Sequence, residues 1–455
     1  MDDPLIWQNR APGNLDILLP EVITTEVGAV VRNATRASAS WAALPLHERQ
    51  AHLQLIHTAL EKESEVLATQ ISLEIGKPLA EARGELGAVL AKFALTFEDS
   101  EKYLADLPVN QGPHPAAIRR RSRGPAAVIG PFNFPLHLGN GAILPHLLAG
   151  NTVIYKPSPY APLVAQMYGD ILARHLPEGV FQIAQGMGET SRKLCLHPYI
   201  RSVCFTGSVA VGRSLAIDLA GDFSKDLALE LGGKNALFVA ADADLPAAAQ
   251  ATADGMCLTA GQRCNGTSRV FVVQSVADEF NTLLRQALAI YLPADPTHEK
   301  TKLGPVISEA AKKRHENLIQ ESGAETFANI DTNLNGYYVL PAVVWKKLGD
   351  PLLAEEQFVP FLEVVTVNHL KEAINHHAQS EYGLSASIFT KSKATFERFV
   401  HQMLVGNVYA NLPTTFSPSA LPFGGLKNSG NHHPGGRGFA RFVSDEQAVQ
   451  WTGLD

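Results

Sequence analysis

Cysteine is scarce. The chain of 455 residues holds four, Cys195, Cys204, Cys257 and Cys264. Their spacings match no CxxC metal pattern, so no metal site is expected, and four thiols in so long a chain do not make a disulfide framework. A reducing cytoplasm is the expected compartment. An excess of positive charge is missing too: 38 Lys and Arg stand against 45 Asp and Glu, a net charge of −7. That excludes a global electrostatic pull on nucleic acid or on an anionic membrane. No apolar run approaches the ~18 residues of a membrane span. The opening Met1-Asp2-Asp3-Pro4 has neither the basic nor the apolar region of a secretory signal. Internal repeats and low-complexity tracts are lacking as well.

What remains is a globular composition, 45% apolar and 18% charged, which can bury several cores. At about 150 residues per unit the length suggests roughly three domains. Apolar periodicity predicts helix over residues 24–40 and 46–107, interrupted at Gly76-Lys77-Pro78, where the proline suits the first turn of a new helix. From residue 116 the pattern changes. Short β-branched or apolar strands are expected at 126–130, 152–156, 180–183, 202–206, 227–230 and 235–239. Helices are expected at 144–149, at 161–175 and from about 208 through Leu219. Such alternation argues for a parallel, doubly wound sheet. A second α/β stretch follows. Helices are expected at 247–259, 277–288 and 370–376, with extended segments at 270–273, 336–344, 364–367 and 384–389.

Four short stretches carry chemistry. In Thr259-Ala260-Gly261-Gln262-Arg263-Cys264 a cysteine follows a glycine turn. Cys264 reads either as a small buried filler or as a nucleophile, since thiolate attacks carbonyl carbon well. In Leu229-Glu230-Leu231-Gly232-Gly233 an acid ends an apolar strand. Glu230 is either an exposed terminal acid or a general base facing the crevice that such strand ends border. In Gly130-Pro131-Phe132-Asn133-Phe134-Pro135, Asn133 either caps a turn or aims a fixed N–H donor at a developing oxyanion. In Phe205-Thr206-Gly207-Ser208 a strand passes through Gly-Ser into a helix, whose N-terminus suits a phosphate. The continuation to Gly212-Arg213-Ser214 nearly matches a nucleoside-triphosphate loop, but Arg213 stands where that loop needs lysine. Gly186-Met187-Gly188 is only a fragment of a dinucleotide fingerprint and reads as a loop.

In this order the four signals resemble the aldehyde dehydrogenase superfamily. The similarity runs from Glu74-Ile75-Gly76-Lys77-Pro78 to Pro422-Phe423-Gly424-Gly425, through Glu355-Glu356-Gln357-Phe358 and Tyr382-Gly383-Leu384-Ser385-Ala386. The resemblance implies an α/β fold in three parts. A Rossmann-type dinucleotide-binding domain would span 1–104 and 124–231, and an α/β catalytic domain 232–435. A small bridging and oligomerisation element would span 105–123 and 436–455. It implies that Cys264 attacks the aldehyde and that Asn133 stabilises the oxyanion. Glu230 would activate water to hydrolyse the thioester, giving acid rather than acyl-CoA. It further implies a cofactor, NAD or NADP, held by Lys156, Ser158, Gly207, Ser208, Leu231, Glu356 and Phe358.

Three departures from the family pattern matter. The lysine motif usually continues to a glutamate three residues on, and here Pro159 stands there. Without that carboxylate, ribose hydroxyls lose an acceptor and a 2′-phosphate loses a like-charge penalty, so NADP is expected to be accepted. Val359 replaces a common glycine, and both chain ends are short, which favours a homodimer. His137, Asn140, Gly141 and the run Ser429-Gly430-Asn431-His432-His433-Pro434 resemble the branch that oxidises N-succinylglutamate 5-semialdehyde. Another semialdehyde or an aliphatic aldehyde is the alternative. A retired scaffold is opposed by the intact Cys264, Glu230 and Asn133. That substrate carries several carboxylates and calls for a basic wall. Arg119, Arg120, Arg121 and Arg123 read instead as solvated or subunit-interface residues. His137, His432 and His433 read equally as pocket groups or loop histidines.

Overall fold

A computed structural model describes residues 5–453, other than 110, 111 and 332. Five strands build a parallel sheet: β1 (Ala126–Ile129), β2 (Val153–Lys156), β3 (Phe181–Ile183), β4 (Ser202–Gly207) and β5 (Asp226–Leu231). Their spatial order is β5-β4-β1-β2-β3. The apolar run of β1 is buried throughout, because helices cover both faces of the sheet. Strand order reverses between β1 and β4, and in such sheets the crevice outside the carboxyl ends at that reversal binds ligands. Asn133 follows β1, Lys156 ends β2, Gly207 ends β4, and Glu230 and Leu231 end β5, so topology collects them at one edge.

The second sheet comprises β6 (Asn235–Val239), β7 (Thr267–Val273), β8 (Glu325–Thr326), β9 (Ala342–Lys347), β10 (Phe361–Val367), β11 (Ser385–Phe389) and β12 (Asn407–Ala410). Their order is β8-β9-β10-β7-β6-β11-β12. All neighbours are parallel except β8 and β9. A three-stranded antiparallel sheet, with Ala116–Ser122 between Leu107–Val109 and Ser444–Gln450, stands apart. Arg119, Arg120 and Arg123 on and beside its middle strand pair with Asp106, Glu446 and Asp445, and Arg123 reaches Asp226 as well.

Helix α1 (Leu79–Tyr103) starts directly after Pro78, α2 spans His137–Leu148, and α3 spans Val209–Leu219. The motif Glu74 to Pro78 is structural. Glu74 accepts from Leu163 N and Val164 N at 2.8 Å each, capping the helix Pro162–Ala173. Lys77 pairs in the interior with Glu85 at 2.6 Å.

Several elements differ from the pattern reading. Helix α2 begins at His137 rather than at 144, because Glu85 caps its first turn and Pro145 is accommodated inside it. The first residues lack visible period yet pair as two short antiparallel ladders, Ile6–Trp7 with Val22–Ile23 and Arg10–Ala11 with Asn14–Leu18. Of 336–344 only the end is strand. Helices at Gly188–Leu196, Glu309–Ser322 and Lys393–Gln402 have weak sequence signals, being short or largely polar. No helix among the described residues is long and apolar enough to cross a membrane. Nor do those residues group three or more metal-ligating side chains.

The second sheet holds a buried charge cluster. Glu363 lies 2.6 Å from Arg269 and 3.5 Å from Lys234, and accepts from Leu353 N at 2.9 Å. Burial raises its carboxyl, but the Lys234 and Arg269 charges outweigh that and hold it below the usual range. Breaking a buried pair leaves a charge uncompensated. Glu363→Gln is therefore expected to cost about 3–5 kcal/mol in urea unfolding, and a loss below ~1 kcal/mol would contradict the arrangement.

Candidate active site

A cleft of about 1190 Å³ opens where the two sheets meet. All ten residues singled out from sequence line it: Asn133, Lys156, Ser158, Gly207, Ser208, Glu230, Leu231, Cys264, Glu356 and Phe358. The Gly232-Gly233 turn is what brings the two sheets this close. A Cβ at Gly232 would stand 2.1 Å from Glu356 Oε2, and one at Gly233 would stand 2.7 Å from the Cys264 carbonyl oxygen. A side chain at Gly233 would meet the Cys264 backbone, and one at Gly232 would displace the Glu356 carboxyl, so glycine at both places favours the close approach.

Cys264 sits on a strained loop. Thr259, Ala260 and Gly261 have φ of 54°, 52° and 71° in succession. A Cβ at Gly261 would lie 2.4 Å from the carbonyl carbon of Val359. Left-handed backbone at a β-branched threonine is costly and persists only when surroundings over-determine it. Here Glu81 takes Thr259 N at 3.1 Å and Thr259 Oγ1 at 2.8 Å. Beyond the loop, Asn235 Nδ2 donates to the Cys264 carbonyl at 2.8 Å and to the Gly266 carbonyl at 3.0 Å. Cys264 is half-buried, whereas the other three cysteines are buried, and all four are free. Burial pushes its thiol well above the usual range. The Glu230 and Glu356 carboxyls reinforce this, and the Asn265 backbone N–H opposes it.

Glu230 is 1% exposed, and neither of its carboxyl oxygens has a hydrogen-bond partner among the described residues. Burial raises it to about 8. A buried polar group is normally satisfied, so an orphaned carboxyl facing a cleft is a functional signal. Asn133, 3% exposed, donates from Nδ2 to the Gln262 carbonyl at 2.7 Å and accepts from Phe134 N at 3.1 Å. An amide nitrogen carries two hydrogens, so one donor remains beyond that bond.

The opposite end of the cleft has the character of a dinucleotide site. Lys156, 2% exposed, is pushed down to about 8 by burial, and no carboxylate pairs with it among the described residues. Gly207 leads into α3, where Ser208 Oγ accepts from Val211 N at 3.4 Å. Glu356 accepts from Gly233 N at 3.1 Å, and burial raises its carboxyl to about 8 against the Gly233 N–H and the Lys234 charge. An uncompensated buried ammonium, a glycine-led helix N-terminus and a docked carboxyl fit a phosphate-bearing ligand with ribose hydroxyls.

Sequence reasoning missed an aromatic row along this wall. Phe132 meets Phe358 edge-on at 6.0 Å and Tyr160 at 5.9 Å. Phe358 has a φ of 54°, which turns it into the row. Tyr409 was also missed. Burial raises its hydroxyl to about 12, with the Cys264 thiolate acting in the same direction. Its ring packs edge-on against Phe416 at 5.8 Å. The glycine-flanked motif gave Cys264 away, but an isolated tyrosine in a strand carries no such signal. Of the residues left open, His137 has a buried Nδ1 without a partner among the described residues and is held neutral by burial, at about 4. His432 packs its ring 4.6 Å from Phe442. Neither histidine lines the cleft, and neither do His433 or Arg119, Arg120, Arg121 and Arg123.

The raised Glu230 carboxyl has a stability consequence. A folded-state value above the unfolded one means stability is full below about pH 4.5 and is lost as pH climbs through about 8. Glu230→Gln removes that loss. It should melt above wild type at about pH 8, with the gap shrinking toward pH 5, by differential scanning calorimetry. A gap that does not change with pH would contradict the burial of the charge.

The model of the aldehyde dehydrogenase family matches residues 15–449. An N-succinylglutamate 5-semialdehyde dehydrogenase of Burkholderia multivorans is 34% identical over 440 residues, 94% of this chain and 90% of that protein. Among solved structures, an indole-3-acetaldehyde dehydrogenase of P. syringae in complex with NAD+ superposes with a TM-score of 0.90 at 27% identity, covering 98% of this chain and 93% of that one. A 3,6-anhydro-L-galactose dehydrogenase in complex with NAP does so with a TM-score of 0.91 at 25% identity, covering 98% and 96%. A match over nearly the whole length, with the same fold and a cleft that gathers the motif residues, shows that this chain belongs to the aldehyde dehydrogenase family.

Proposed function

We propose that this protein oxidises N-succinylglutamate 5-semialdehyde to the carboxylic acid, with Cys264 as nucleophile, Glu230 as base and Asn133 as oxyanion donor. One observation carries the reading. The half-buried thiol shares a cleft with a buried carboxyl that has no partner among the described residues, and other residues of that cleft suit a dinucleotide. Cys264 adds to the aldehyde carbon as thiolate, its proton having passed to solvent in the cleft, and the free Asn133 N–H stabilises the oxygen that becomes negative. Loss of hydride from that carbon restores the C=O bond and leaves a thioester on Cys264. The dinucleotide supplies the hydride acceptor when bound. Lys156 and Glu356 would hold its two riboses, Gly207 and Ser208 would receive its phosphates, and Ser158, Leu231 and Phe358 would line its path. Glu230 then takes a proton from the water that attacks the thioester. With both oxygens unpaired, it is free to receive it.

Tolerance of NADP follows from Pro159. Its carbonyl accepts from Trp7 Nε1 at 3.3 Å and Asn9 Nδ2 at 2.7 Å, so this position presents neither a carboxylate nor a free acceptor to the ribose. The division into 1–104 with 124–231, 232–435 and 105–123 with 436–455 rests on where the three main sheets lie. A homodimer is supported by Val211, Ile217 and Phe223, exposed apolar residues on and just after α3, and by the exposed Leu107 of the outer antiparallel strand. A cytoplasmic setting is supported by the four free thiols.

The test follows reduced cofactor by absorbance, with NAD and NADP each paired with N-succinylglutamate semialdehyde, succinate semialdehyde and an aliphatic aldehyde. Fastest turnover is expected on the succinylated substrate and none with Cys264→Ala. Turnover only on the others would keep the chemistry and overturn the substrate. No turnover at all would favour a scaffold. Pro159→Glu should lower the NADP-to-NAD ratio of kcat/KM at least about tenfold, since it restores a like charge against the 2′-phosphate. An unchanged ratio would overturn that assignment. Where hydrolysis limits, kcat should rise with pH and level off above about 8, because Glu230 acts ionised. In Glu230→Gln this rise should vanish, with a loss of about 10²-fold or more.

A further inference from the structure

The two groups proposed to handle the aldehyde oxygen and carbon come from chain segments far apart in sequence. Asn133 lies after β1, and Cys264 lies before β7. One hydrogen bond joins their loops directly, from Asn133 Nδ2 to the Gln262 carbonyl. Helix α1 touches both. On its first turn Glu81 binds the strained loop at Thr259 N and Oγ1 and pairs with Arg263 at 3.0 Å. One turn further, Glu85 accepts from Leu136 N at 3.0 Å and His137 N at 3.1 Å, and pairs with Lys77 at 2.6 Å. Residues four apart on a helix share a face, so the two carboxylates act as fixed marks on one rigid rod. Between their partners lies Phe134, the neighbour of Asn133. Lys77 Nζ stands 3.8 Å and Arg263 Cζ 4.9 Å from the centre of its ring. Arg263 is itself the neighbour of Cys264.

A cation over an aromatic ring contributes most where water is excluded. Lys77 is 1% and Glu85 2% exposed, and the side chains of Arg263 and Glu81 are 15% and 12% exposed. The array is therefore dry, charged at fixed points, and satisfied through bonds to the two reactive loops. Surface pairs of the same type would not hold a loop in this way.

We propose that Glu81 and Glu85 are positioning residues, which set the Asn133 amide against the Cys264 thiol through Arg263, Lys77 and the Phe134 ring that meets both cations. This rests on the reading of Asn133 as oxyanion donor and Cys264 as nucleophile. A displacement of about an ångström at such a site costs up to about 10²-fold in rate.

A double-mutant cycle tests it on the full-length enzyme, with wild type, Glu81→Gln, Asn133→Ala and the double variant. The measurements are kcat/KM for the aldehyde at saturating cofactor, the dissociation constant of the reduced cofactor by fluorescence, and the melting temperature. Glu81→Gln should lose about 10- to 100-fold in wild type but less than about threefold beside Asn133→Ala, because its effect passes through the amide. Cofactor affinity should hold within about twofold. Glu81→Asp, which keeps the charge, should recover part of the rate. Equal losses in both backgrounds, or no loss in wild type, would overturn the proposal. So would a rate loss that tracks weaker cofactor binding. If Glu81→Gln does not fold, Phe134→Leu enters the same cycle with the same expectations, and failure of both to fold would make the array structural and overturn the proposal. A wild type inactive on every aldehyde would overturn the proposed function instead. The cycle is then read on the rate of Cys264 alkylation by iodoacetamide, which the proposal requires Glu81→Gln to change and a purely structural array would not.

Discussion

The structure turns on a seam three residues long. Strand β5 of the first sheet ends at Leu231, and β6, next to the central strand of the second, begins at Asn235. Gly232 and Gly233 supply the absence of side chains that lets Glu356 and the Cys264 backbone close onto that seam. Every other feature of the cleft presupposes it. A methyl group at Gly233 would crowd the Cys264 carbonyl, and one at Gly232 would displace the Glu356 carboxyl.

Charge is treated in two opposite ways around the seam. Where it is structural it is paired: Lys77 with Glu85, Arg263 with Glu81, and Lys234 and Arg269 with Glu363. Where it faces the cleft it is left alone, as in Lys156 and Glu230. Burial lowers the paired Lys77 and Lys234 as well, while pairing keeps the Glu363 carboxyl low. At the cleft no partner among the described residues offsets burial for Lys156 or Glu230. The lysine falls and the glutamate rises, both to about 8, where each can exchange a proton or meet an opposite charge. The stability forgone at Glu230 is the cost of a carboxyl kept ready for water.

Much of this was legible in the chain. Strands such as 126–129 and 235–239 are short apolar runs, the first closed by Gly130 and the second opened by Asn235 after a Gly-Gly turn, and those bounds mark them. The motif residues were legible because their chemistry depends on local context: a cysteine after a glycine turn, an acid at the end of an apolar strand, an asparagine between aromatics. Helix α2 was half hidden, since its first turn reads His-Leu-Gly-Asn-Gly, a poor helix former that holds only because Glu85 from another helix caps it. Tyr409 and the Phe132–Phe358 row were hidden altogether, because an aromatic in a strand reads the same in a core as beside a thiol.

The amino-acid sequence by itself determined the alternation of strands and helices, the family, and which residues could carry the chemistry. These depend on patterns only a few residues long. Tertiary structure alone decided which of those residues share one space, that Glu230 has no partner among the described residues while Glu85 has three, and that Arg119, Arg120 and Arg123 are held by acids away from the cleft. Burial and pairing are properties of contacts between distant segments. No local pattern encodes whether a charged side chain will find water, a partner or neither.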